Sequence, residues 1–353
     1  MRRTKRLVSA AIVMMGLLAA PASAQSLTDA LIAAYRNSNL LEQNRAVLRA
    51  ADEDVAIAVA TLRPVVNFVA RATASSAVRA GAGGVNVRSN DVSATLALSA
   101  DLTLYDFGRG QIAIDAAKEN VLAVRQALVG VEQRVLLSAV AAFMDVRSAA
   151  ETVNLRENNV RLITQQLRAT RDRFEVGEIT RTDVAIAEAR LAGARSNLAA
   201  AQGDLAVARE AYKAATGAYP GNALRSPPGL PRIPRTLEEA QAIARNTHPS
   251  IKQSQHEVTA SELNLARAVA VRQGQISGSA SLSVDDGGRD TSSLSLSYQR
   301  PLYTGGRQSA QERQAAARRD AARAALHQTA ADVMQDVGRS WSDLAVAFAR
   351  IEA

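Results

Sequence analysis

Cysteine is absent from all 353 residues, and its absence excludes disulfides, thiolate metal ligands and cysteine nucleophiles. Aromatic side chains make up only 3% of the chain, with a single tryptophan, while 47% of the residues are hydrophobic. So few large side chains cannot fill a thick globular core. An alanine-rich chain of this kind suits long, thin helices packed on one another. Histidine is also scarce: His248, His256 and His327 never stand four residues apart, so no helical metal-binding pair arises. The carboxylates are scattered among arginines, with no pair set apart in an apolar stretch. Gly81, Gly83 and Gly84 are not followed by a helix, which argues against a phosphate loop. Asp285, Asp286 and Asp290 surround two glycines but lack the alternating ligands and closing glutamate of a calcium loop, and a hairpin turn explains them better. No enzyme activity, cofactor or metal is expected.

The formal charge is +8, and Arg2, Arg3, Lys5 and Arg6 supply half of it. The remaining arginines alternate with acidic residues along helix faces, and no basic run is interleaved with aromatics, so nucleic acid is not an expected partner. The basic start has its own meaning. It precedes the apolar run Leu7 to Ala20 and then Pro21-Ala22-Ser23-Ala24 ahead of Gln25, which reads as a signal peptide over residues 1–24 with an A-x-A cleavage site. An apolar run of about fourteen residues is too short to span a bilayer. Gln25, in a chain without cysteine, leaves no site for a lipid anchor at the mature N-terminus. No later stretch is expected to be apolar over the length of a transmembrane helix, so a return to a membrane has to use strands.

The pattern that is present is a helical hairpin. Val160, Ile163, Leu167, Thr170 and Phe174 step by three and four along an entering helix, and Gly177 stops it. Thr180 and Asp183 have the spacing of a capping box, so a second helix starts at once. Val184, Leu191, Leu198, Leu205 and Tyr212 recur every seventh residue along it, with Ala187, Ala194, Ala201, Ala208 and Ala215 three residues after each. Alanine at every second seam position lets the two helices approach closely. The tip spans residues 175–183.

Around this hairpin the chain divides into two copies of one plan. The first, residues 25–219, has a helix from Leu27 to Leu62 ended by Arg63-Pro64, strands at about Val65 to Ser76 and Asp91 to Tyr105, a loop from Ala77 to Asn90, the long helix, the tip and the return helix. A proline-rich connector covers residues 220–235. The second copy, residues 236–353, repeats the helix, a hairpin within residues 275–303 and the start of a long helix. Leu104-Tyr105 and Gly108-Arg109 recur as Leu302-Tyr303 and Gly306-Arg307 at an offset of 198, whereas Ser26-Leu27 and Thr236-Leu237 differ by 210. Carried forward, the repeat places a second tip near position ~375. The chain is therefore expected to be a truncated product of a longer plan.

Each hairpin strand alternates. Val92, Ala94, Leu96, Leu98, Ala100, Leu102 and Leu104 share one face of their strand, and Ser93, Thr95, Ser99, Asp101 and Thr103 share the other. Ile276, Ala280, Leu282 and Val284 likewise oppose Ser277, Ser279, Ser281 and Ser283. Such strands suit a membrane barrel, and they also suit a half-buried soluble hairpin. Four strands cannot close a barrel, because about eight are needed, so a membrane form has to oligomerise. The fold class expected is mixed α and transmembrane β: long antiparallel helical coiled coils plus two β-hairpins. The rival is a periplasmic or surface coiled-coil interaction protein that never forms a pore.

Val176-Gly-Glu-Ile-Thr-Arg-Thr-Asp-Val184, Ala187-Glu-Ala-Arg-Leu191, Leu62-Arg63-Pro64, Leu104 to Arg109 and Tyr212 to Gly217 resemble the TolC family of outer membrane efflux proteins, and the resemblance covers essentially the whole mature chain. It implies a homotrimer in the outer membrane whose strands form one twelve-stranded barrel and whose helices continue as a periplasmic tunnel. It further implies a passive duct for drug efflux or type I secretion, energised by an inner-membrane transporter of RND or ABC type and reached through a periplasmic adaptor, or membrane fusion protein. Gly177, Glu178, Ile179 and Thr180 are then the adaptor-docking tip. Asp183, with Thr180, serves tunnel closure or simply caps the helix, and Arg173 and Arg181 are possible charge partners at the tip.

Overall fold

The computed structural model describes residues 25–80, 86–221, 224–229 and 231–352. The expected signal peptide and the Gly81, Gly83 and Gly84 segment lie outside the described residues. In chain order the elements are α1 (Leu27–Asn37), α2 (Asn39–Ala60), β1 (Val65–Ala80), β2 (Asn86–Tyr105), α3 (Arg109–Glu175), α4 (Arg181–Thr216), α5 (Leu237–Thr247), α6 (Pro249–Ala270), β3 (Gln275–Asp285), β4 (Asp290–Gln299) and α7 (Arg307–Glu352). They group into two units, one holding residues up to Gln43 with Val131–Arg232, the other holding Asn44–Gly130 and the chain from Ile233 onward.

In the first unit α4 packs on α3 and α1 through the expected heptad. Leu191, Ala194, Ala201 and Tyr212 are buried, and Val184, Ala187, Leu198, Leu205, Ala208 and Ala215 are half-buried. Tyr212 and Phe143 are fully buried side by side with Ala30, Ala142 and Val146, ringed by Leu27, Leu205 and Leu224. Burial pushes the Tyr212 phenol above its ordinary pKa. Helix ends are tied across this core. The Asn37 side chain donates to the Thr216 carbonyl at 2.9 Å, and Gly217, at φ 85°, stands so close that a Cβ there would lie 2.9 Å from Asn37.

In the second unit the four strands form one antiparallel sheet in the order β1-β2-β3-β4. Val65 pairs with Asp101, Leu98 with Leu282 and Ala280 with Leu294, and the register slips only near Leu104, where a bulge separates Thr103 from Tyr105 opposite β3. Helices α5 and α6 pack on α7, with ion pairs from Arg272 to Glu312 and from Arg323 to Glu262.

Three expectations need correction. The helix expected from Leu27 to Leu62 is two helices broken at Ser38, which is extended (φ -74°, ψ 107°), and its counterpart breaks at His248, 210 residues later. Pro249 disfavours helical geometry at His248, and the Ser38 hydroxyl accepts from Leu41 N–H at 3.3 Å. The loop expected at Ala77 to Asn90 is largely paired, out to Ala80 with Asn86, because a fixed register lets backbone hydrogen bonds extend through polar residues such as Ser89 and Asn90. Finally, α3 contains an 18-residue stretch of mean hydropathy 1.5 with no more than two charged residues, so by length and composition one helix is apolar enough to cross a bilayer. Ala139, Ala142 and Phe143 of this helix are buried, whereas Leu137 is exposed, so its apolar residues extend beyond the seam.

Other matches between the copies are geometric. Ser26 and Thr236 both cap helices, accepting from Asp29 N–H and Glu239 N–H at 3.2 Å each. Phe107-Gly108 and Gly305-Gly306, 198 apart, both have positive φ. Replacing Phe143 by alanine is expected to destabilise the first unit by about 3–5 kcal/mol, since a fully buried ring leaves a cavity. Denaturant titration followed by helical circular dichroism measures it, and a loss below about 1 kcal/mol would show that this cluster does not hold the helices together.

Candidate functional site

The tip is built by two caps placed back to back. At the end of α3 the Gly177 amide donates to the Phe174 carbonyl and the Glu178 amide to the Arg173 carbonyl, both at 3.0 Å. These are the two bonds of a Schellman motif, whose turning residue needs positive φ, and Gly177 has φ 80°. Two residues further on, the Asp183 carboxylate accepts from the Thr180 hydroxyl at 2.6 Å and the Thr180 amide at 2.9 Å. The hydroxyl first, then the amide, hold the Asp183 pKa below the ordinary aspartate value. Arg171 bridges to Glu188 across the hairpin at 2.6 Å, and Arg173 lies 3.6 Å from Glu178. Val176, Gly177, Glu178, Thr180 and Arg181 are exposed, while Ile179 is half-buried. A Cβ on Gly177 would meet no atom within 4 Å, so only its backbone angle demands glycine there.

The sheet has two unlike faces, and on its two inner strands their exposure is the reverse of a soluble hairpin's. On β2, Val92, Leu96 and Leu98 are 72%, 53% and 46% exposed, while Ser93, Thr95 and Ser99 on the opposite face are the more covered. The pattern continues on β3, where Leu282 and Val284 are exposed and Ser281 and Ser283 half-buried. Phe68, Leu294 and Leu296 extend the apolar face across the neighbouring strands. Across the hydroxyl face runs a ladder in which Ser277 bonds Ser297 at 2.9 Å, Ser279 bonds Ser295 at 2.7 Å and Ser281 bonds Ser293 at 2.8 Å. At the helix end of the sheet Tyr105, Phe107 and Tyr298 form an edge-to-face cluster.

An outward apolar face on membrane-length strands agrees with the known proteins this chain resembles. Residues 31–218 match the outer membrane efflux protein family. Over 358 aligned residues the chain is 33% identical to the outer membrane efflux protein BepC of Brucella suis, covering 99% of this chain and 76% of that one. The chain belongs to the outer membrane efflux protein family. Its fold is shared with the outer membrane protein VceC of Vibrio cholerae (TM-score 0.76, 20% identity, covering 92% of this chain and 80% of that one). It is also shared with the MtrE outer membrane channel of Neisseria gonorrhoeae (TM-score 0.67, 18% identity, 92% and 73% covered). This efflux protein is accordingly an outer membrane channel of long helices and β-hairpins.

Of the residues singled out from sequence, Gly177, Glu178, Ile179, Thr180 and Asp183 lie together in one turn, with Arg173 beside Glu178. Arg181 is exposed at the first position of α4 and makes no ion pair among the described residues. The histidines serve structure where their contacts are visible: His248 Nδ1 accepts from Ser250 N–H at 3.3 Å, and His256 lies 2.8 Å from Glu119. What sequence reading missed is which sheet face is open, since alternation marks two faces without saying which is covered.

Two outcomes are expected at the tip. Gly177→Val should destabilise the turn by about 1–3 kcal/mol through backbone strain alone, whereas Gly177→Asn should cost less, as read from local amide hydrogen exchange. Because the folded Asp183 pKa is lowered, its stabilisation is complete above the ordinary aspartate value of about 3.9 and is lost as pH falls through the lowered one. Protection of the first turn of α4, corrected for intrinsic exchange, should therefore drop below that window in the natural protein and stay flat with pH in Asp183→Asn. Identical pH profiles would remove the cap from this account.

Proposed function

We propose that this protein is the exit duct of a tripartite export system. Three copies would close one barrel from three four-stranded sheets, each antiparallel and each ending in unpaired edges at β1 and β4. An even number of strands lets β4 of one copy meet β1 of the next in antiparallel sense, and twelve strands leave room for an aqueous lumen. The carrying observation is the reversed exposure of the inner strands β2 and β3: in this reading the apolar face meets lipid and the hydroxyl face meets the lumen. Strands of 10 and 11 residues cover about 35 Å at ~3.3 Å each, enough to cross the hydrocarbon with tilt. A soluble coiled-coil protein has no use for such a face.

In this reading residues 1–24 direct export, and residues 25–219 and 236–353 follow one structural plan twice. The chain is a passive conduit without catalytic residues. Gly177, Glu178, Ile179 and Thr180 form the surface on which the adaptor docks, and Asp183 joins the closure of the tunnel mouth, with Arg173 and Arg181 tuning its charge. An inner-membrane transporter, RND or ABC type, supplies energy and delivers the cargo, for drug efflux or for type I secretion. Support comes from the two-cap turn, which exposes Val176 through Glu178 on a rigid base.

Protein extracted from outer membranes should have the native mass of three copies; a monomer in the soluble periplasmic fraction would overturn the channel reading. Gly177→Arg should leave that trimer intact while abolishing export and cross-linking to the adaptor. Unchanged export with this variant would remove the docking role.

A further inference from the structure

The hydroxyl face of the sheet runs down into a cavity of about 810 Å³ where the strands give way to helices. Thr103, from the hydroxyl face of β2, lines it, as do residues of α3, α6 and α7. Three guanidinium groups line it from three separate helices: Arg109 at the start of α3, Arg267 near the end of α6 and Arg318 on α7. Asn264, Gln311 and Gln314 add amide donors. One carboxylate, Asp106, is present, and its oxygens are engaged by the backbone, accepting from Gly108 N–H at 3.2 Å and Gly110 N–H at 2.6 Å.

The arginine charges are not cancelled locally. Arg109 donates to the neutral Gln275 side chain at 2.6 Å, and neither Arg267 nor Arg318 makes an ion pair among the described residues. Four acids on the same helices are already matched, Glu262 with Arg323, Glu312 with Arg272, Asp320 with Arg319 and Asp115 with Lys118. Three cations facing one carboxylate in a concave wall concentrate anions there. Guanidinium forks suit the planar or tetrahedral oxygens of carboxylate, phosphate and sulfate groups.

We propose that Arg109, Arg267 and Arg318 form a binding site for multivalent anions on the inner wall of the duct, at the junction of barrel and helices. The site makes the duct favour anionic cargo over cationic cargo at this level. Asp101 stands on the same face two residues before Thr103 but does not line the cavity, so it leaves the local excess of positive charge in place. The inference rests on the channel reading for its position in the lumen, while the binding itself depends only on the cavity.

The test uses tripolyphosphate as the probe on the purified full-length protein. Calorimetry in detergent should show binding to the natural protein and at least about tenfold weaker binding to Arg109→Gln/Arg267→Gln/Arg318→Gln, with the difference shrinking at high salt. In planar bilayers the natural channel should be blocked by the probe, and the triple variant should shift its reversal potential in a salt gradient towards cations with its conductance retained. Arg267→Gln/Arg318→Gln changes only exposed helix positions and keeps the test open if the triple variant misfolds. Equal binding by natural and variant proteins overturns the proposal. Absence of any conductance overturns the channel reading instead, and calorimetry then still decides the site.

Discussion

A sheet edge facing hydrocarbon is the constraint from which the rest of this architecture follows. Backbone N–H and C=O groups have no water to bond in a bilayer, so every strand needs a neighbour on both sides. This chain supplies four strands and leaves one side of β1 and one side of β4 open. On the proposed trimer, copies supply one another with the neighbours that complete this hydrogen bonding. The faces follow from the same solvent: Leu96, Leu98, Leu282 and Leu294 sit outward, and hydroxyls that pair with one another sit inward.

The helices solve a different problem with small side chains. Alanine alternates with larger residues along the seam of α4, and two large residues, Phe143 and Tyr212, are fully buried together where α3, α4 and α1 meet. Termini in this arrangement are expensive because each leaves unsatisfied backbone groups. They are met by Ser26, Thr180 and Thr236 at helix starts, by Gly177 and Gly217 at helix ends, and by the reach of Asn37 across to α4.

The seam was legible because a heptad declares its buried face in every turn, and the residues from Val184 to Ala215 proved buried or half-buried at each expected position. The tip was legible because glycine and a Thr-x-x-Asp spacing have few alternative uses. Strand existence could be read from alternation, but its sidedness could not, because serine and leucine exchange places symmetrically until a solvent is specified. The break at Ser38 carried no proline to announce it, although Pro249 announced its counterpart. Arg109, Arg267 and Arg318 are separated by long stretches of chain and meet only in three dimensions, so no local pattern could have assembled them.

The pairing of β2 with β3 sets an order of events as the chain is made and folds. Tyr105 and Gln275, at the near ends of these partners, are separated by the whole of α3, α4, α5 and α6. The first hairpin is therefore complete, apolar face and both edges open, well before its partner strand has been synthesised. Contacts of such long sequence separation form slowly and leave edges open to wrong partners. The length of that interval is set by the helices that separate the two hairpins.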